Sequence, residues 1–285
     1  LKKIGISETE FLRQCDASFK QGSKFCAWVT GNEDDSYYHP FTIPHKYSKI
    51  NLAEAWHSQR TEVPFADAVS FQSHLCEQGL APKQITTPEY EFFANYGYHL
   101  DAGKFAALLQ KHCIEKLGVI HVSDHVTEVK STEDGDIASL ETKAKGNIEG
   151  DLFVDCTGSK SMLLGEHLGV PFISRKDTLF IDSALAIQVP YESSESLIAS
   201  QTVSTAQANG WIWDIGLQSR RGVGHVFSSA HTNAEKAEEK LRRYLELNPG
   251  DMKNATDIRE IRFDPGHRQK FWHRNCVAIG MSAGF

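Results

Sequence analysis

The sequence predicts an α/β protein with a substantial antiparallel part, and three observations support this fold class. The chain has 285 residues, 40% apolar and 24% charged, which is enough for a sizeable hydrophobic core. Capped amphipathic segments predict helices at Ser7 and at Asp101. Short apolar runs separated by glycine turns are typical of strands.

The helices follow from apolar residues at spacings of three and four. After the Ser7–Glu10 capping box, a stripe through Phe11 and Cys15 to Phe19 predicts a helix that ends near Lys20. A second helix is expected from Asp101 to the stop at Gly118, and a charged one from Asn233 to Leu247. Residues 30–100 are rich in Tyr, His, Pro and Phe with poor periodicity, which predicts short helices in a functional insertion.

The strands are predicted from apolar runs, with a turn around Gly135 between two of them. The predicted strands are Val119 to Val122, Val126 to Val129, Ile137 to Thr142, 151–158, Thr178 to Val189, Trp211 to Ile215, Val223 to Ser228 and Asn275 to Gly280.

Composition excludes several classes of protein. Lys and Arg number 30 and Asp and Glu 37, so the net charge of −7 argues against a general nucleic-acid binder. No apolar run approaches the roughly 18 residues of a membrane span, and no secretory signal opens the chain. The six cysteines are scattered without a C-x-x-C pair, which favours reduced thiols in the cytoplasm and argues against a metal site.

Two strands end in glycine turns, 152–158 and 276–280. Such turns let a backbone approach a dinucleotide closely, although a core strand with a tight turn explains each one equally well. The G-x-G-x-x-G fingerprint is absent, so a pyrophosphate-binding loop would lie upstream of Leu1. Because the chain starts at leucine and stops at Phe285 directly after a strand-like run, we expect an internal segment of a longer protein.

Taken together, a series of motifs in order resembles the flavin-dependent tryptophan halogenases along almost the whole chain. One departure is Gly216, where the family pattern W-x-W-x-I-P has proline. The matching motifs are Gly5–Ser7, Ala17–Lys20, Lys24–Trp28, Tyr37–Phe41, Tyr98–Ala102, Asp151–Gly158, Trp211–Ile215, Gly222–Ser229 and Asn275–Gly280.

This resemblance implies a flavin monooxygenase-like FAD/NAD(P)-binding fold with an antiparallel substrate-side sheet. It also implies halogenation of tryptophan or another electron-rich arene: reduced FAD and oxygen convert chloride or bromide into hypohalous acid, which travels to a lysine. A separate NADH-dependent flavin reductase would supply FADH2. A homodimer would be in keeping with the family, and no nucleic-acid or membrane partner is implied.

The resemblance also assigns residues. Lys20 is the expected catalytic lysine, although Lys24 lies only four residues away. His39 and Phe41 are expected to pack around the substrate ring, while Trp211 and Trp213 would line the passage between flavin and substrate in a structural role. The expected flavin contacts are Val126, Gly280 and Met281, with Asp155 and Gly158 as weaker candidates.

The predicted organisation is one incomplete domain, 1–285. It comprises a substrate-side insertion at 30–100, FAD-binding parts at 101–160 and 270–285, and a substrate-side sheet and helix at 178–265. The family glutamate that works beside the lysine is expected beyond Phe285. Two alternatives stay open: an aromatic hydroxylase of the same fold, which would need no Lys20, and a non-catalytic flavin-binding relative.

Overall fold

The computed structural model describes residues 1–32, 34–59, 62–246, 255 and 257–285. The helices are α1 Glu8–Gln14, α2 Leu52–Ser58, α3 Phe65–Val69, α4 Gln72–Glu77, α5 Ala102–Leu117 and α6 Ala234–Glu246. The strands are β1 Ser18–Lys20, β2 Gly22–Cys26, β3 Ser36–Pro40, β4 Gly97–His99, β5 Val126–Ser131, β6 Ile137–Thr142, β7 Gly146–Glu149, β8 Phe153–Asp155, β9 Phe172–Ser174, β10 Ser183–Pro190, β11 Thr202–Gln207, β12 Gly210–Gly216, β13 Arg220–Phe227, β14 Arg259–Arg262, β15 Gly266–Arg268, β16 Trp272–His273 and β17 Cys276–Ala278.

The chain forms two compact units. The first comprises 1–118 and 184–261, and the second comprises 119–183 and 262–285. The mixed α/β class predicted from the sequence is confirmed. No helix among the described residues is long and apolar enough to cross a bilayer. All six cysteines are free thiols.

A seven-stranded sheet in the order β14-β10-β13-β12-β11-β2-β3 organises the first unit. One face packs against α6, where Leu241 and Leu245 meet Ile212 and Phe227 in a fully buried core. The other face is rich in aromatic side chains, because strand register aligns Trp211 and Trp213 of β12 with Phe25 of β2 and with Tyr37 and His39 of β3. We call this second surface the aromatic face.

A two-stranded ribbon of β1 and β4 corrects the predicted course of the first helix. The helix begins at the expected cap, where the Ser7 side chain accepts the Glu10 N–H, but it ends at Gln14. Asp16 adopts a positive φ of 52°, which ends the helix, and Ser18–Lys20 then pairs with Gly97–His99. Phe19 and Lys20 are therefore strand residues. Phe11 and Phe19 both pack against the Tyr98 ring. Their shared burial produced a helix-like spacing although Phe19 lies in a strand.

Other boundaries agree closely with the sequence pattern. Helix α5 begins after Asp101, whose carboxylate accepts the Lys104 N–H, and it ends at Gly118 in the left-handed conformation. The helices within 30–100 have five to seven residues each, as expected. The last residue predicted for the 233–247 helix lies outside the described residues.

Two predicted strands are wrong in whole or in part. Residues 119–122 form no strand; Val119 and Ile120 are exposed instead. The strand expected from Thr178 begins only at Ser183, because the N–H groups of Thr178 and Leu179 both turn back to the Arg175 carbonyl.

The second unit contains a β5-β6-β7 meander and a β16-β17-β8 sheet in which β8 and β17 run parallel. Ala278 lies beside Asp155 in the parallel register, so both strands end at the same edge. Leu164 and Cys276 are fully buried in the core of this unit.

Candidate functional site in the first unit

Lys20 lies at the end of β1, opposite Gly97 of β4. Alternate residues of a strand share a face, so the side chains of Ser18, Lys20 and His99 project from the same side of the ribbon. That side contacts the seven-stranded sheet through two hydrogen bonds. The Ser18 hydroxyl donates to the Gly216 carbonyl oxygen at 2.5 Å, and His99 Nε2 lies 2.9 Å from Thr202 Oγ1.

The amine of Lys20 is partly withdrawn from water and has no carboxylate partner in the part of the chain that the structure describes. Burial lowers the pKa of Lys20 below its ordinary value. Within the part of the chain that the structure describes, no acidic side chain forms an ion pair with Lys20, and its Nζ lies 5.7 Å from the centroid of the Phe41 ring. A desolvated amine beside an aromatic wall has the properties required to polarise a reagent.

Lys24, the residue most easily confused with Lys20, has a different environment. Its Nζ lies 2.7 Å from Glu77 Oε1 and over the Tyr38 ring. The Tyr38 hydroxyl donates to the same carboxylate oxygen at 2.7 Å. Lys24 is therefore a structural cation on the face of the sheet opposite the aromatic face.

Phe41 is held next to Lys20 by main-chain hydrogen bonds. Its N–H donates to the Gln21 carbonyl at 3.0 Å, and Asn95 Nδ2 donates to the Phe41 carbonyl at 3.1 Å. The structure thus brings two of the predicted residues, Lys20 and Phe41, together.

His39 is exposed on the aromatic face opposite Ser23, the residue that also pairs with Thr202. Two inter-strand spacings separate His39 from Thr202, about 10 Å across the sheet.

Sequence reasoning missed a pair of fully buried amides beneath this region. Gln21 Nε2 donates to the Leu80 carbonyl at 2.7 Å and to Ser200 Oγ at 3.0 Å. Gln72 Oε1 accepts the Thr42 N–H at 2.7 Å, while its Nε2 donates to the Asn95 carbonyl. Buried amides with several partners fix the chain around them. The only sequence signal was the position of Gln21 directly after Lys20.

The two tryptophans predicted to share a face do so. Their ring centroids are 6.5 Å apart in an edge-on arrangement. The Trp213 ring crosses Gly224, where an added Cβ would lie 2.1 Å from Trp213 Cζ2. Trp213 also lines a cleft of about 430 Å³ together with Arg220 and Gly222. This placement fits a wall rather than a reacting group.

We call the ribbon of β1 and β4 the lysine ribbon. The side of this ribbon opposite Lys20 packs over a buried carboxylate. Glu8 accepts from Lys83 Nζ and the Tyr98 hydroxyl at 2.7 Å each, from the Tyr90 N–H at 2.9 Å, and from the Tyr96 hydroxyl. Burial alone would raise the pKa of Glu8, but these donors outweigh it and the pKa is lowered. Tyr96 and Tyr98 in turn pack against Phe19. The strand carrying Lys20 is thus supported on both faces.

Residues predicted to contact flavin lie in the second unit. Gly158 and Gly280 follow the two parallel strands with φ of 74° and 64°, and nothing lies within 4 Å of a Cβ built at either position. Met281 next to Gly280 is exposed, and Val126 is the first residue of β5. Open glycine backbone at the carboxyl edge of parallel strands fits a dinucleotide.

Asp155 supports both glycine turns and has no free capacity for a ligand. Its fully buried carboxylate accepts from the N–H groups of Leu163 and Leu164 at 3.0 and 2.8 Å and from the hydroxyls of Ser161 and Ser282. Burial would raise its pKa, yet the donors lower it. We assign Asp155 a structural role.

Comparisons with known proteins agree with this arrangement. Residues 1–285 match the tryptophan halogenase family. The tryptophan 6-halogenase ThaL from Streptomyces albogriseolus is 32% identical over 298 residues, covering 99% of this chain and 55% of that protein. A crystal structure of a tryptophan halogenase from Shewanella frigidimarina superposes with a TM-score of 0.94 at 54% identity, covering all of this chain and 55% of that one. BrvH, a flavin-dependent halogenase from Brevundimonas, gives 0.87 at 34% identity, covering 99% and 56%.

The fold is therefore the FAD-binding α/β fold of the flavin-dependent halogenases. Within that class the chain belongs to the tryptophan halogenase family. It spans about half the length of the relatives it matches.

Proposed function

We propose that the full protein is a flavin-dependent halogenase that uses Lys20 to direct hypohalous acid onto tryptophan or another electron-rich arene. The observation that best supports this function is the environment of Lys20, a desolvated amine 5.7 Å from the Phe41 ring centroid that has no ion-pair partner among the described residues. An ordinary surface lysine would be solvated or, like Lys24, paired with a carboxylate.

The proposed reaction joins halogen to ring carbon. Hypohalous acid, HO–X, reacts with Ar–H: the C–X bond forms, the O–X bond breaks, and the oxygen leaves as water with the ring proton. Lys20 assists either as an ammonium donating a hydrogen bond to the oxygen, or as an amine that displaces it to give a haloamine and water. Burial favours both routes, because it excludes competing nucleophiles and lowers the pKa of the amine.

Aromatic side chains of the first unit suit a flat substrate. Phe41 provides a ring adjacent to the amine, and His39 presents an exposed imidazole on the aromatic face. Aromatic rings bind indoles through offset or edge-on contacts. Trp211 and Trp213 would line the passage that the hypohalous acid takes, in a structural role.

When bound, reduced FAD would supply, with oxygen, the oxidising power that converts chloride or bromide to hypohalous acid. Gly280, Met281 and Val126 are proposed to hold it, with the open backbone at Gly280 as the structural support. A separate flavin reductase is the proposed source of FADH2, and a homodimer is the proposed assembly.

The test is bromination of tryptophan and indole by the full-length protein with a flavin reductase, followed by mass spectrometry. Lys20→Ala should abolish halogenation while FAD binding, followed by absorbance, persists. Lys24→Ala is the matched control and should stay active. An active Lys20→Ala variant would overturn the role of Lys20. A hydroxylated product formed without halide would indicate the aromatic hydroxylase instead.

A further inference from the structure

His99 is a buried side chain of the lysine ribbon itself, and the proposed reaction leaves it unused. Only 5% of its surface is exposed, and it lies opposite Ser18 on the face that also carries Lys20. Its Nε2 meets Thr202 Oγ1 at 2.9 Å, while Nδ1 makes no hydrogen bond of good geometry with the described residues. A buried imidazole with one unsatisfied nitrogen is costly and needs an explanation.

Burial affects the charge state of His99 as it does that of Lys20. Burial, and after it the positive charge of Lys20, lower the pKa of His99 to about 4, against a weak opposing effect of the Gly216 carbonyl. His99 is therefore neutral at physiological pH. Other charged groups on neighbouring elements are already paired: Asp101 with Arg220 at 2.8 Å, and Glu8 with Lys83.

The hydrogen bonds of His99 and Ser18 are also the link between ribbon and sheet. Both residues of this cross-strand pair bond to the seven-stranded sheet, one to Thr202 and the other to Gly216. Thr202 and His39 both pair with Ser23, so the link joins the strand of Lys20 to the surface that presents His39.

We propose that His99 is a positioning residue for Lys20: as a neutral, buried imidazole bonded to Thr202, it fixes the lysine ribbon on the aromatic face and keeps water from the lysine amine. This inference builds on the role of Lys20 in the proposed function. It predicts that His99 affects the reactivity of the Lys20 amine by keeping water away from it, in addition to any effect of His99 on the stability of the fold.

The test measures how fast Lys20 is acylated by acetic anhydride as a function of pH, using peptide mass spectrometry on the full-length protein. Removing His99 as His99→Ala admits water, raises the pKa of Lys20 and leaves less free amine at a given pH. We expect Lys20 acylation to slow near neutral pH and the midpoint of its pH curve to move to higher pH. His99→Asn, which keeps a neutral hydrogen-bonding group, should restore most of the wild-type pH curve.

His225 provides a matched control. It is also a buried histidine, and one of its ring nitrogens has no hydrogen-bond partner among the described residues. Burial lowers its pKa too, but it faces α6 through the Ala237 carbonyl. His225→Ala should lower stability and leave the Lys20 curve unchanged. An unchanged curve in His99→Ala, or equal shifts in both variants, would overturn the proposal.

Thr202→Val tests the same link with little disturbance of the fold, because it removes the hydroxyl that bonds to His99 at nearly constant side-chain volume. In the full-length protein we expect kcat for halogenation to fall by about fivefold to tenfold, the loss of one buried hydrogen bond, with KM for tryptophan unchanged. A higher KM with unchanged kcat would contradict a role in positioning Lys20. The acylation assay reports on Lys20 whether or not the protein halogenates, so absent halogenation would overturn the proposed function and leave this result standing.

Discussion

The Nζ atom of Lys20 and the ring of Phe41 are 5.7 Å apart, and this contact follows from main-chain pairing. Lys20 directly precedes Gln21, whose carbonyl accepts the Phe41 N–H at 3.0 Å. Lys20, the proposed reagent-binding group, and Phe41, the proposed substrate wall, are thus fixed to each other by one backbone hydrogen bond. The effect of a substitution at Lys20 or Phe41 can therefore be interpreted as a local effect on this pair.

Replacing Phe41 should affect substrate binding more than chemistry. In Phe41→Leu the apolar volume is largely kept, but the aromatic contact with a substrate ring is lost. Such contacts contribute about 0.5–1.5 kcal/mol, so KM for tryptophan should rise by about twofold to twelvefold with little change in kcat. Steady-state kinetics of the full-length protein provide the measurement. A large fall in kcat at constant KM would place Phe41 in the chemical step instead.

Breaking the buried Glu8 cluster should destabilise the first unit. Glu8→Gln leaves the Lys83 ammonium, 9% exposed, without its counter-charge, which typically costs about 3–5 kcal/mol. Urea unfolding monitored by tryptophan fluorescence measures the loss. Glu10→Gln, on the same helix but exposed, should change stability by no more than about 0.5 kcal/mol. Equal effects of the two substitutions would refute the structural importance of the cluster.

Acid should weaken the fold in two steps. The folded-state pKa of His99 is about 4 against an ordinary 6.5, so the unfolded chain takes up a proton first as pH falls below 6.5. The free energy of unfolding should therefore decrease between about pH 6.5 and 4. The contribution of Glu8, whose pKa is also lowered, is complete above its ordinary value of 4.5 and disappears as pH falls through its folded-state pKa.

Urea titrations at pH 7, 5.5 and 4.5 test the His99 step. His99→Gln should show a shallower decline over this range than the wild type, because the substituted side chain cannot be protonated. An identical slope in both proteins would show that other groups dominate the acid response.

The crossing of Trp213 over Gly224 predicts an intolerant position. A Cβ at residue 224 would lie 2.1 Å from Trp213 Cζ2 and 2.5 Å from the Leu185 carbonyl oxygen, whereas one at Gly222 meets nothing closer than 3.6 Å. Gly224→Ala should cost about 3 kcal/mol or more, and Gly222→Ala less than about 1 kcal/mol. Thermal unfolding of the two variants decides the matter; similar melting temperatures would disprove the predicted steric conflict.

Loss of the Asp155 charge should disturb the proposed flavin-binding turns. In Asp155→Asn one carboxylate oxygen becomes an NH2 donor. Either the Leu163 and Leu164 N–H groups or the Thr157 N–H then lose their acceptor, at about 1–3 kcal/mol for each group. We expect weaker FAD binding together with lower stability, measured by flavin fluorescence and by urea unfolding. Unchanged flavin affinity in a destabilised variant would separate Asp155 from the proposed cofactor site.

The sequence was most informative where local chemistry determines structure. The Ser7 and Asp101 caps, the Gly118 stop and the strand Ile137–Thr142 all lie where their residues indicate. Phe19 shows the limit: its spacing from Phe11 fits a helix, but long-range pairing with Tyr98 makes it a strand residue. Lys20 and Phe41 were proposed as site residues through ordered motifs, and their roles stay predictions. Gln21, Gln72 and His99 were missed as site residues because their importance arises from partners 50 to 180 residues away.

Gly216 stands where the resemblance to the family predicts proline, and the surroundings of this glycine matter for engineering. Its carbonyl accepts the Ser18 hydroxyl, and a Cβ there would approach the Tyr191 hydroxyl to 3.0 Å and the Ala199 backbone to 3.2 Å. A design that followed the pattern of that resemblance would introduce proline at this position. In this chain that change would crowd the neighbouring segment, so a stabilised library should keep the glycine and vary Tyr191 first.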